Sequence, residues 1–469
     1  MWKNLTKLKN KNIVIKNKFL LQFIEKIDSN LNKDLKKKFF FDLPNNELIF
    51  FIKKNINDLF NLKTCEFDKK ISLLYLPFYF CFVIFYTIFI FIFKKKLFET
   101  KKYQILFDNI ETQTEMDPYN EFYKFYDKKR IIYRTTNKSC YKQQNVIFQP
   151  RYKGYSITFN DCLKIFNLLF FSIYISFKHN FNFCYFLIKI IDNIFYYKTL
   201  FRSINANHLI MHQYYMSNNI KNFYFKLNHG LKVSLIQKNI LSMHTMGFFF
   251  DADNFFCLGS NTTPNKKKTK SRISKNLIVG SFFMHANKKK VNLKNKKKLD
   301  VLYVAGNGFH PDGQLDTYKE HNKDYMLHIN WLIKIKKELP NLSIGFKHHS
   351  NSIDSFELNL LKDSGVIIFP KHKNSYSLCM NANMICSWAS TMILEMKPLN
   401  FYSFFLDPGF NNSQFFHFLK NSKKIRIHKY EKFKNLVLNS ISTKKNSLID
   451  KEFCYDYKKV VKEIVNYLD

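Results

Sequence analysis

The sequence predicts an α/β protein built on parallel sheet, and three observations carry that prediction. Short apolar runs recur at 301–305, 342–346, 366–369, 384–386, 401–406 and 425–427. Between them lie stretches with helical spacing: Tyr325, Ile329, Leu332 and Ile333 share one face, as do Ile353, Phe356, Leu360 and Leu361. Strands so short and so evenly apolar are buried on both sides, which requires helices above and below the sheet. Several of the runs also end in small or polar residues, as strand tips do where an open α/β sheet binds ligands.

Residues 1–100 form a basic, helix-leaning leader. Within it the stretch 71–93 is uncharged and apolar between Lys69-Lys70 and Lys94-Lys95-Lys96. As a helix it is long enough for a hydrocarbon core of ~30 Å, so it is read as a membrane segment with no charge asymmetry to orient it. Residues 101–290 form a first α/β domain, with strand-like runs at 103–107, 129–133, 208–211, 233–236, 255–258 and 277–280. Inside it the apolar region 163–197 is punctuated by Lys178, His179, Lys189 and Asp192, the pattern of an in-plane interfacial helix pair. A Lys/Asn-rich linker at 288–298 leads to a second domain, 291–450, and to a C-terminal helix in 451–469 with Val460, Val461, Ile464 and Val465 inward.

The formal charge is +39, while Gly and Pro number only 11 and 10. Inflated Lys, Asn, Phe, Ile and Tyr fit drift toward A/T-rich codons, yet lysine clusters such as 94–96, 266–268 and 288–290 still attract acidic lipid head groups. The lysines are scattered, without an aromatic platform for single strands, so membrane attraction is expected and specific nucleic-acid binding is not. Nine cysteines lie without Cys-x-x-Cys pairs or zinc spacing, which suits a reducing compartment. The basic start, Met1 to Lys11, lacks the apolar core of a secretory signal.

The chemistry concentrates at strand ends of the second domain. Cys386-Ser387-Trp388-Ala389-Ser390-Thr391 followed by Met392-Ile393-Leu394-Glu395 reads as strand, small-residue turn and short helix. Ser390 and Thr391 allow a phosphate to approach backbone N–H groups, and Glu395 can accept from a sugar hydroxyl. A plain N-cap accounts for the serines equally well when the segment is taken alone. Gly306 and Gly308 open a loop after the first strand, and Phe346-Lys347-His348-His349 follows the second, with Lys347 and His349 suited to a diphosphate. Asp251-Ala252-Asp253 is read as a turn before a strand, not a metal pair. A Walker loop, a nucleophile elbow and zinc spacings are all missing.

Together these residues resemble the two-domain GT-B glycosyltransferases of surface-carbohydrate synthesis and their relatives, the CDP-glycerol glycerophosphotransferases, over roughly residues 205–430. The resemblance implies two Rossmann-like domains facing a cleft, with Lys347, His349, Ser390, Thr391, Glu395, Gly306 and Gly308 on the donor. It implies a membrane-associated enzyme whose catalytic domains are cytoplasmic, moving a sugar from a nucleotide-sugar donor to a lipid-linked or growing glycan acceptor without cofactor or metal. A polyol phosphotransferase, or a non-catalytic scaffold descended from a transferase, are the alternatives. Where that family has His-Gly after a glutamine, this chain has Lys238-Asn239 after Gln237, so His244 is the candidate base.

Overall fold

The structure is a computed structural model, and it describes residues 22, 24–25, 34–35, 41–62, 72–93, 101–135, 146–148, 155, 157–212, 217–241, 248–288, 299–305, 317–349, 359–388, 390–399, 402–408, 416–442, 451–455 and 458–469. Two all-parallel sheets organise the described residues. The first contains β1 (Lys101–Phe107), β2 (Ile131–Thr135), β3 (Val146–Phe148), β4 (Ile204–Met211), β5 (Lys232–Ile236), β6 (Asp251–Cys257) and β7 (Arg272–Ile278), in the order β3-β2-β1-β4-β5-β6-β7. The second contains β8 (Leu299–Val304), β9 (Ile344–Lys347), β10 (Ile367–Phe369), β11 (Ala382–Ser387), β12 (Ser403–Leu406) and β13 (Arg426–Ile427), in the order β10-β9-β8-β11-β12-β13. Each sheet therefore starts at its centre, grows outward, and then reverses to the other side of its first strand. The reversals fall between β1 and β4 and between β8 and β11, the positions at which doubly wound sheets leave a crevice.

Alternation along the strands explains why both faces are covered. In β8, Leu302 and Val304 enter one apolar core while Val301 and Tyr303 enter another. In β1, Leu106 faces one layer and Ile105 and Phe107 the opposite one. The strands match the apolar runs of the sequence to within a few residues, apart from β7, which begins at Arg272, five residues before the expected run 277–280, and β3, three residues long and not expected. Asp251 and Asp253 lie in β6 itself: Asp251 meets Arg272 Nε at 3.0 Å, and Asp253 meets Lys226 Nζ at 2.6 Å.

Helices α1 (Asn45–Leu62), α2 (Leu76–Ile92), α3 (Phe159–His179), α4 (Phe183–Ser203) and α5 (Asn219–Leu227) belong to the first lobe. Thr158 and Asp161 form a capping box at the start of α3, and Asn180 ends it in the left-handed region at φ 55°. The α3–α4 pair is the crossover from β3 to β4. α4 is buried along most of its length, while α3 keeps an exposed apolar side. Among the described residues, α2 with its preceding turn is the one helix long and apolar enough to cross a membrane by length and composition.

After β7 come α6 (Phe282–Lys288), then α7 (Thr317–Glu338), α8 (Ser375–Met380), α9 (Met392–Glu395) and α10 (Tyr430–Ser442) around the second sheet, and last α11 (Val460–Leu468). The lobes are not independent, because one apolar core takes Phe107 of β1, Phe282 of α6, Leu302 of β8, Ile385 of β11 and Ile464 of α11. Before α11 the chain returns to the first sheet, where Tyr455 N donates to Leu258 O at 2.7 Å. That return fits only against a glycine, since a Cβ on Gly259 would lie 2.4 Å from Glu452 O. Lys232 Nζ then donates to the carbonyls of Tyr467 and Leu468 at 2.8 and 2.9 Å, holding the C-terminal end of α11 on the first lobe.

Candidate functional site

β11 ends the second sheet beside its reversal point, and the turn after it is held by its own hydroxyls. Ser387 Oγ accepts from Ser390 N at 3.0 Å, and Ser390 Oγ accepts from Met392 N at 3.4 Å. Thr391 reaches across the lobes, its Oγ1 accepting from the backbone N of Ile240 at 3.1 Å. Ile240 follows β5 of the first sheet, so the carboxyl ends of both sheets meet at this contact. Trp388 is buried, edge-on to His328 of α7 at 6.4 Å.

Lys347 closes β9 one strand away from β8. Its Nζ donates to His348 O at 2.5 Å and to Lys371 O at 3.1 Å, and burial lowers its pKa. The ammonium is thus a fixed point charge at the strand tip, oriented by backbone carbonyls. His348 is buried edge-on to Phe346, and His349, the next residue, is half-buried. Gly306, Gly308, His244 and the linker at 289–298 lie outside the described residues.

Glu395 stands at the junction of the lobes and is 3 % exposed. Its carboxylate accepts from Ser281 Oγ at 2.5 Å and from Tyr376 OH at 3.1 and 3.3 Å. Burial pushes its pKa up to about 7, against the opposing pull of Ser281, Tyr376 and the charge of Lys238. Ser281 immediately precedes α6 and also accepts from Met284 N at 3.0 Å. Glu395 thereby ties α9, which follows the turn after β11, to the segment that leaves the first sheet.

The first sheet brings its own polar cluster to the same junction. His212 follows the last residue of β4, at the reversal point, and is fully buried. Its Nδ1 lies 2.8 Å from Tyr119 OH and its Nε2 3.2 Å from Glu115 Oε1. Glu115 also accepts from Lys238 Nζ at 3.1 Å and from Glu111 N at 3.0 Å. Burial raises the Glu115 pKa, but His212, Lys238 and the Glu111 N–H outweigh it and hold the carboxyl well below the usual range. Burial, helped by Lys238, lowers the pKa of His212 against the pull of Glu115, and the imidazole bridges tyrosine to carboxylate. Lys238 therefore serves both lobes, pairing with Glu115 on its own side and acting electrostatically on Glu395 across the junction.

One further cluster sits beneath it. Asp108, at the tip of β1, binds Arg134 Nε and Lys221 Nζ, the latter at 2.6 Å, with all three side chains buried. Arg134 and Lys221 outweigh burial and hold Asp108 below the ordinary carboxylate range.

The structure thus brings Thr391 and Glu395 against the first lobe and fixes Lys347 on the same sheet edge two strands from β11. Sequence reasoning did not single out Glu115 or His212. His212 directly follows the apolar run 208–211, so its place at a strand tip was a readable signal, whereas Glu115 reaches it only through the tertiary fold.

Solved structures similar to this chain include the following. A UDP-N-acetylglucosamine 2-epimerase matches over 78 % of this chain and 95 % of its own, with a TM-score of 0.46 and 10 % identity. The UDP-GlcNAc 2-epimerase from Neisseria meningitidis bound to UDP-GlcNAc matches over 78 % and 100 %, with a TM-score of 0.44 and 10 % identity. The wall teichoic acid polymerase TagF matches over 78 % and 88 %, with a TM-score of 0.39 and 11 % identity. No family model matches the chain, and no curated protein does.

Proposed function

We propose that the chain is a transferase that binds a nucleotide-linked sugar between its two lobes and moves the sugar to a lipid-linked or growing glycan acceptor. The observation that carries this reading is the meeting of two doubly wound sheets at their carboxyl ends, with Thr391 bonded to the backbone of Ile240 and Glu395 to Ser281. A crevice at a sheet reversal suits a nucleotide, and two facing reversals suit a donor and an acceptor. Lys347 supplies positive charge for the departing diphosphate, and His349 and the Ser390-Thr391 turn supply hydrogen bonds. Glu115 is held too firmly in its charged form to accept a proton, so its part is to position Lys238. His244, later in sequence than Lys238, is the proposed base for the acceptor hydroxyl. Glu395 acts by fixing the turn that carries Ser390 and Thr391.

The test is a melting-temperature screen of the purified chain against UDP-, GDP-, CMP- and CDP-linked donors, CDP-glycerol included. A donor present at a hundred times its Kd adds about 2.7 kcal/mol of stability, a shift that the screen resolves. Lys347→Met and Ser390→Ala should each reduce that shift, and Ser390→Ala does so without removing a buried charge. A CDP-glycerol shift with none from sugar nucleotides would replace the sugar with a polyol phosphate. No shift from any nucleotide, in a chain that melts cooperatively, would overturn the proposal.

A further inference from the structure

Helix α2 is apolar on every side, yet only one side is used by the protein. Leu76, Val83, Thr87 and Ile90 are buried against the first lobe. Tyr86 OH donates to Asp192 Oδ1 of α4 at 2.6 Å, and Tyr79 packs edge-on against Tyr185 of α4 at 5.3 Å. These contacts make α2 a part of the folded domain, since a helix crossing a bilayer would have to leave α4 and abandon the Tyr86–Asp192 bond.

The opposite side of α2 is equally apolar and faces outward. Phe78, Phe82, Phe85 and Ile92 are exposed at helical spacing, Phe85 by 71 %. Exposed residues of α3 continue the surface: Phe170, 65 % exposed, lies 6.5 Å from Phe80 of α2, and Phe177 follows two turns later. Soluble chains rarely leave a contiguous apolar face of this extent in water. Its rim is basic. Lys164 and Lys178 are exposed on α3, Lys178 pairing with Asp34 at 2.5 Å, and the sequence flanks α2 with Lys69-Lys70 and Lys94-Lys95-Lys96.

We infer that the outer faces of α2 and α3 form one docking surface for an anionic lipid bilayer, with α2 lying in the membrane plane instead of spanning it. Aromatic side chains seated at the acyl boundary with lysines at the head groups are the arrangement of an interfacial helix. Charge favours this occupant over a second copy of the chain, because two copies at +39 repel each other while an acidic bilayer attracts both. The inference does not depend on the transferase reading, and it is measured without nucleotide.

The experiment mixes the full chain with sealed vesicles of phosphatidylcholine alone or with about 30 % phosphatidylglycerol and follows flotation. The chain should float with the anionic vesicles, and Phe85→Glu with Phe170→Glu should weaken binding roughly tenfold or more. Leu231→Glu, at an exposed leucine away from both helices, should leave binding unchanged. Single cysteines at Ser72→Cys and Phe93→Cys, in a chain with Cys65, Cys81 and Cys140 changed to serine, should both react with an impermeant maleimide from outside the vesicle. Failure to float would overturn the inference. So would protection of one end of α2, which means a span, or a dimer that the Phe85→Glu and Phe170→Glu changes dissolve.

Discussion

Replacing Glu395 by Gln should make the protein more stable at neutral and alkaline pH. The carboxyl is 3 % exposed, with Ser281 and Tyr376 donating to it, and burial raises its pKa from 4.5 to about 7. A rise of that size corresponds to about 3 kcal/mol at ~1.4 kcal/mol per unit. The sign follows from linkage. Between the unfolded and folded pKa values the folded chain keeps a proton that the unfolded chain has released, so stability falls as pH rises through that window and stays lower above it. Glutamine keeps an acceptor for the 2.5 Å Ser281 bond and carries no charge. The stability of Glu395→Gln relative to the natural chain should therefore grow from near zero at about pH 4 to about 3 kcal/mol at about pH 8.5. Denaturant midpoints of both chains across that range measure it. Tyr376→Phe, which removes a donor to the carboxylate, should move the window upward. A difference between the Glu395→Gln variant and the natural chain that is constant with pH, or that shrinks as pH rises, would refute the buried-carboxyl reasoning.

Two further outcomes follow from the first lobe. Asp108→Asn should destabilise the chain by about 3–5 kcal/mol, because it leaves the buried cations Arg134 and Lys221 facing a neutral amide; a loss under about 1 kcal/mol in denaturant unfolding would contradict that. Its carboxylate pKa is depressed in the fold, so its stabilisation should also fade as acid protonates it. Glu115→Gln should release Lys238 and loosen the His212 bridge, lowering turnover while donor binding by calorimetry persists. Unchanged turnover in that variant would remove the cluster from the proposed chemistry.

Much of the fold could be read from the chain because its strands are short, uniformly apolar and punctuated by polar tips. Runs such as 301–305 and 384–386, alternating with helical patterns, fit parallel strands buried on both sides, and they stand as β8 and β11. β3 escaped notice because three residues between polar stretches carry no periodicity. The stretch 71–93 has the length and composition of a span and stands as a helix, while the bond from its Tyr86 to Asp192, on a helix far away in sequence, is something composition does not register. Local sequence likewise places Glu395 one turn beyond a strand tip and says nothing of Ser281, which arrives from the other lobe. The Glu115–His212–Lys238 cluster draws on the short helix after β1 and on the ends of β4 and β5, and exists only once the first sheet is wound. Lys238 stood out in the sequence as a departure from a resembling pattern, and the structure gives that position two electrostatic partners, Glu115 and Glu395.

Amide hydrogen exchange on the full chain, with and without the donor nucleotide that most raises its melting temperature, tests the proposed nucleotide site between the two sheet reversals most directly. If the two sheet reversals jointly hold the nucleotide-linked substrate, protection should rise both in peptides covering Ser387 to Glu395 and in those covering His212 or Lys238. Protection confined to one lobe, or appearing only away from both strand tips, would contradict a substrate held between them.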